Sequence, residues 1–250
     1  MHSASSRPVA VAARNGDLLV FAVNGFAFAS WMSRVPDVRQ LLDLTPGMLG
    51  VVLLSISAGS LIGLPVAGRV THRFGAAASV RMGMALVVPG VVLAALAAQA
   101  WSSMPGVMAG LFLLGVGNGV WDVAQNLEGT NIEHGLGRAI MPWFHAAFSG
   151  GTVVGALVGA GLTWLRVPLI AHLGAVAALT VLAVLWGTAR FLPAFEDGVA
   201  DGHATGTAAP QRSAWREPRT LLIGLMVLAA AFTEGTANDW MAVAFVDGHD

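Results

Sequence analysis

The chain has 250 residues, 56% hydrophobic and 11% charged, with 14 acidic side chains, 13 arginines, no lysine and no cysteine. Soluble proteins carry roughly a quarter charged residues, so this composition excludes an ordinary water-soluble globule. A net charge of -1 without a basic run excludes a nucleic-acid binder, and the missing cysteines and lysines exclude disulfide frameworks, thiolate metal sites, Schiff-base chemistry and Walker-type phosphate loops. No nucleophile triad, metal-ligand spacing or cofactor motif occurs, so the chain reads as something other than an enzyme.

Stretches free of Asp, Glu and Arg run 18–33, 44–68, 82–121, 139–165, 167–189 and 220–233. About 20 apolar residues at about 1.5 Å each cross a bilayer core of about 30 Å. The 82–121 stretch is long enough for two crossings, with Gln99, Trp101, Ser102, Ser103 and Pro105 as a polar break. The spacing therefore predicts an all-α membrane protein with seven spans, near 16–34, 47–68, 80–99, 105–127, 144–164, 168–190 and 220–245. Residues 1–15 form a cytoplasmic tail; its apolar run Val9 to Ala13 is too short for a signal peptide. Residues 16–191 form a six-helix bundle, 192–219 a hydrophilic cytoplasmic linker, and 220–250 the first helix of an incomplete second bundle, so the chain is expected to be a fragment lacking its C-terminal bundle.

Orientation follows from the arginines, which concentrate on cytoplasmic loops. With the N-terminus inside, ten fall on inner segments (Arg7, Arg14, Arg69, Arg73, Arg81, Arg138, Arg190, Arg212, Arg216, Arg219) and three on outer ones (Arg34, Arg39, Arg166). This predicts a multi-pass protein of a bacterial inner membrane with a cytoplasmic N-terminus.

Between spans two and three the sequence reads Gly-Arg-Val-Thr-His-Arg-Phe-Gly-Ala-Ala (68–77). It resembles the signature loop of the major facilitator superfamily: Gly68, Arg73 and Gly75 match, His72 stands where the family has Asp, and Ala76 and Ala77 replace a basic pair. The stretches Gly-Asn-Gly-Val-Trp-Asp-Val-Ala-Gln-Asn (117–126) and Gly-Arg-Ala-Ile-Met-Pro-Trp-Phe-His-Ala-Ala-Phe-Ser-Gly-Gly (137–151) look like the branch containing the fucose/proton symporter and its bacterial relatives. That resemblance implies a twelve-span transporter of which this chain covers about seven spans. It also implies a span-four carboxylate in proton coupling, at Asp122, and gating by the 68–77 loop with Arg138. The symporter's span-one carboxylate has no counterpart, since Trp31 or Met32 stands there.

The residues themselves point to span four. A polar side chain in hydrocarbon costs a few kcal/mol and normally faces a cavity or partner. Asn118, Asp122 and Asn126 fall within an arc of about 80°, with Gln125 beside them. Asp122 could bind a proton or a substrate hydroxyl while the three amides offer donors and acceptors; alternatively it sits near the cytoplasmic end and pairs with Arg138. Asn24 and Trp31 in span one could contact a sugar-like ligand, or Trp31 could belong to an interfacial belt. His145 could relay protons or be structural, and His72 could tune a gate or be a solvated loop residue. In span seven, Glu234, Asn238, Asp239 and Trp240 are the partners that the resemblance implies for span one. Glycines four apart (Gly59 and Gly63; Gly115 and Gly119; Gly151, Gly155 and Gly159) predict close helix contacts.

These readings lead to a secondary transporter that moves a small polar solute by alternating access, with protons as coupling ion and the lipid bilayer as environment. The alternatives are an efflux transporter of drugs or metabolites, an inactive half-transporter, and a seven-span receptor; a retinal protein fails for want of a lysine.

Overall fold

A computed structural model describes residues 6–193 and 217–248, apart from the side chains of Ser6, Arg7, Asn238, Asp239 and Asp247. Seven helices account for the regular structure, and no strand occurs among the described residues: α1 Ser6–Met32, α2 Val35–Leu41, α3 Pro46–Gln99, α4 Met104–Leu136, α5 Met141–Trp164, α6 Leu169–Thr188 and α7 Pro218–Asp247. Residues 1–192 and 193–250 form two compact units, and most of the expected 192–219 linker lies outside the described residues.

Helix starts follow local chemistry. Thr45 and Ser103 accept hydrogen bonds from the N–H groups of Met48 (3.3 Å) and Gly106 (3.2 Å), and each cap is followed by proline within the first two helical positions. Helix α4 ends on Gly137 in the left-handed conformation, φ 63°. Among the described residues six helical stretches are long and apolar enough to cross a membrane. One of them, α3, has 54 residues and would span roughly 80 Å if straight, far beyond one crossing.

The glycine contacts show how α3 is accommodated. In its first arm, Gly59 and Gly63 lie against Phe112 and Val116 of α4, so the indices rise together and the helices run parallel. In its second arm, Gly83 meets Gly117 and Gly90 meets Gly110, so the indices run oppositely. The chain therefore reverses between the arms, at the one non-helical residue, Gly75 (φ 77°, ψ 167°). Spans two and three are both present, but the expected 68–77 loop is helical on either side of a single glycine. Helix α4 sits between the arms, held by backbone-to-backbone approach in which a Cβ at Gly59, Gly63, Gly115 or Gly119 would strike the facing chain.

The same logic orders the remainder of the first unit. Gly151, Gly155 and Gly159 of α5 lie against Ala22, Phe26 and Ser33 of α1, a parallel pair. Gly16 of α1 and Gly187 of α6 abut near the opposite ends of their helices, an antiparallel pair. Six crossings thus alternate in direction, and Arg14, Arg69, Arg73, Arg81, Arg138 and Arg190 come to one end, with Arg34, Arg39 and Arg166 at the other.

Two helices reach beyond the expected spans: α1 begins at Ser6, ahead of 16, and α4 runs to Leu136, past 127, because a helix continues past the hydrocarbon for as long as its polar residues find water or partners. A short helix, α2, occupies the stretch expected to be loop; Pro36 in its first turn and Asp37 near its N-terminus favour it.

Candidate functional site

The polar stripe of α4 forms as helical geometry requires. Asp122 is half-buried, and its Oδ1 accepts from Gln125 Nε2 (3.2 Å) and Asn126 Nδ2 (3.3 Å), while Asn126 also donates to the Asp122 carbonyl (2.8 Å). Asn118 and Asn126 are half-buried on the same stripe, and Gln125 is fully buried with its Oε1 unpartnered. Two amides thus fix the carboxylate's rotamer and leave its second oxygen available. Arg138 makes no ion pair with Asp122 and instead lines a separate cavity at the end of the bundle.

Helix α5 brings His145 to α1. His145 is exposed and packs edge-on to Phe21 of α1 at 5.7 Å between ring centroids. Phe21 stacks in turn on Phe144 (5.3 Å), so one α1 ring bridges the two aromatic rings at the start of α5. Asn24, one turn beyond Phe21, is buried, and its Nδ2 lacks a partner. Trp31 is 1% exposed with its indole N–H unpartnered, so it lies inside the bundle rather than in an exposed belt.

The remaining candidates lie apart. His72, Gly68 and Arg73 are exposed on the turns before the Gly75 reversal, with the Arg73 guanidinium 5.6 Å from the Phe74 ring. In the second unit, Glu234 is exposed and Trp240 half-buried; the side chains of Asn238 and Asp239 lie outside the described residues. Among the described residues no three His, Asp or Glu side chains converge as a metal site.

Sequence reasoning passed over three buried polar groups. Asp17 of α1 is fully buried, neither carboxylate oxygen has a partner, and it interacts electrostatically with Glu128. Glu128 of α4 is 1% exposed and accepts from the Leu192 N–H at 2.6 Å. Asp17 and Glu128 had been placed at or beyond the ends of spans, so their depth became legible only once α1 and α4 were seen to extend past them. His172 of α6, near Ser33 and Gly159, is buried with both ring nitrogens unpartnered. Buried polar groups rarely remain unsatisfied, and Asp17 and Asn24 of α1 and His172 of α6 form a set of such groups inside the bundle.

Alternating apolar crossings, joined by glycine-on-backbone contacts around buried polar groups, define a multi-pass helical membrane bundle of the transporter type. The chain belongs to the Major Facilitator Superfamily, whose sequence profile matches residues 18–249. It is 33% identical over 234 residues to the uncharacterised transporter y4wD of Sinorhizobium fredii, covering 91% of this chain and 57% of that protein. It is 29% identical over 226 residues to an uncharacterised MFS-type transporter of Yersinia pestis (90% and 55% covered) and 26% identical over 227 residues to the membrane protein MosC of Rhizobium meliloti (88% and 51%). The chain spans about half the length of these curated relatives. No solved structure matches it.

Proposed function

We propose that the first unit is one half of a secondary transporter that carries a small, polar, sugar-like solute across a bacterial inner membrane by alternating access, with Asp122 as the proton-coupling group. One observation carries this reading: the Asp122 carboxylate is half-buried on the polar stripe of α4 and held there by Gln125 and Asn126. A carboxylate with one oxygen tethered and one available can take up and release a proton, and His145 at the start of α5 is the imidazole that would relay it. Asn118 and Asn126 offer the paired donors and acceptors that recognise hydroxyls. The fucose/proton symporter branch remains the affinity that best fits the motifs at 117–126 and 137–151. The gathering of Arg14, Arg69, Arg73, Arg81, Arg138 and Arg190 at one end supports a cytoplasmic N-terminus. Gating falls to Arg73, His72 and the Gly75 reversal, and the second-bundle partners are Glu234, Asn238, Asp239 and Trp240.

The test is uptake of radiolabelled hexoses and deoxyhexoses into proteoliposomes containing a pH-sensitive dye. Asp122→Asn is expected to abolish proton-driven accumulation while leaving exchange or binding partly intact. Unchanged pH-dependent uptake would remove Asp122 from the coupling role. The same assay on the 250-residue chain alone separates a working transporter from a half that needs its second bundle.

A further inference from the structure

Where α1 enters the bundle beside the α4–α5 turn there is a cavity of about 290 Å³ lined by Arg14, Leu18, Arg138, Ile140, Trp143 and Phe144. Its composition is one-sided: two guanidinium groups and no carboxylate. The acidic groups of this region are engaged elsewhere. Glu133 Oε1 accepts from the N–H groups of Ile140 (2.5 Å) and Met141 (2.7 Å), which also fixes the turn that carries Arg138. Glu128 is buried inside the bundle and bound to Leu192, and Asp17 is buried beside it. Among the described residues Arg14 donates to the neutral amide oxygen of Asn15 (3.1 and 2.8 Å) and Arg138 is exposed without an ion-pair partner.

Two cations facing one recess without a counter-charge among the described residues favour an anion, and guanidinium groups bind phosphate well. The walls narrow the choice. Phe144 is fully buried and held by stacking on Phe21, which makes a rigid apolar back, whereas Trp143 is 71% exposed in the first turn of α5. A tryptophan next to arginines at the end of a membrane helix suits the boundary between headgroups and acyl chains.

We propose that this cavity binds the headgroup of an anionic phospholipid, with Arg14 and Arg138 taking the phosphate oxygens and Trp143 and Leu18 lying against the start of the acyl chains. The proposal rests on membrane insertion of this end of the bundle and is independent of Asp122 or of any transported solute. The six arginines at this end would attract anionic lipid diffusely; the cavity localises the binding to two of them.

The purified chain in non-ionic detergent is titrated with short-chain phosphatidylglycerol, phosphatidylcholine or inorganic phosphate, and binding is read by native mass spectrometry and by the shift in unfolding temperature. Phosphatidylglycerol is expected to bind in preference to phosphatidylcholine. Arg14→Gln with Arg138→Gln should weaken that binding about tenfold or more, whereas the charge-matched Arg69→Gln with Arg73→Gln should leave it unchanged. Arg138→Gln alone, at an exposed turn, should give an intermediate loss, and Trp143→Ala should weaken lipid binding. Equal binding of the two lipids, or equal losses in both double variants, would overturn the proposal. Inorganic phosphate reproducing the full effect, with the same dependence on Arg14 and Arg138, would replace the lipid with a soluble phosphate.

Discussion

Glu128 of α4 accepts a 2.6 Å hydrogen bond from the backbone N–H of Leu192, the last residue of the first unit. A side chain buried in the middle of the chain therefore anchors the point where the six-crossing bundle hands over to the segment that follows. A carboxylate 1% exposed contributes there only because the N–H it receives would otherwise lack a partner.

Removing that acceptor should cost stability. Glu128→Ala is expected to lower stability by about 1–3 kcal/mol, since it leaves the Leu192 N–H without its acceptor and opens space beside Asp17. Glu128→Gln keeps a carbonyl oxygen in place to accept the Leu192 N–H and should avoid most of that loss. Unfolding of the detergent-solubilised chain, followed by intrinsic tryptophan fluorescence, measures both; identical behaviour of the two variants would show that the hydrogen bond contributes nothing.

Asp17 should behave in the opposite sense. Both its oxygens are buried without partners and face a second carboxyl group, an arrangement that carries desolvation cost with no compensating bond. Asp17→Leu keeps roughly the volume and removes the unpartnered polar oxygens, so stability, read from the unfolding midpoint, should rise, by an amount on the order of 1 kcal/mol. A lower midpoint would mean that the Asp17 carboxyl contributes a favourable interaction that its unpartnered oxygens conceal.

Neighbouring glycines of α5 give a paired test of the packing. A Cβ at Gly151 would land on the Ala22 carbonyl of α1, whereas one at Gly150 would meet nothing within 4 Å. Gly151→Ala is expected to destabilise by about 1–3 kcal/mol through forced separation of α1 and α5. Gly150→Ala should be neutral or stabilising by up to about 1 kcal/mol, as alanine is the better helix former. Thermal unfolding of the two single variants decides it, and equal effects would detach the glycine pattern from helix contact.

How far this was legible in the sequence depends on whether a feature lies within one helix or between two. The Asp122, Gln125 and Asn126 grouping follows from residue spacing alone, because three and four residues along a helix always meet. The approach of His145 to Phe21, and the hold of Arg34 on Thr163 (3.1 Å) and the Val167 carbonyl (2.8 Å), depends on how helices pack, which spacing does not encode. Charge-free stretches located the crossings but not their ends. Asp17 bounds one of those stretches and Glu128 lies just past the expected end of span four, although helix continues through both. The periodic glycines were legible as contact points, yet only the direction in which their partners are numbered revealed the reversal within α3.

The two glycines of the 68–77 motif look equivalent in sequence and are not equivalent in structure. Gly68 is exposed and helical, with nothing within 4 Å of the place a Cβ would occupy. Gly75 has φ 77° and ψ 167°, a region essentially restricted to glycine, and the two antiparallel arms of α3 meet there. Gly75→Ala should therefore cost about 1–3 kcal/mol and loosen the seating of the second arm on α4. Gly68→Ala should be tolerated or slightly stabilising, because a helical glycine costs up to about 1 kcal/mol relative to alanine. Unfolding midpoints, together with protease sensitivity across 69–81, measure both effects. A Gly68 variant as damaged as the Gly75 variant would mean that the motif acts through contacts on the helix surface and not through the backbone reversal at Gly75.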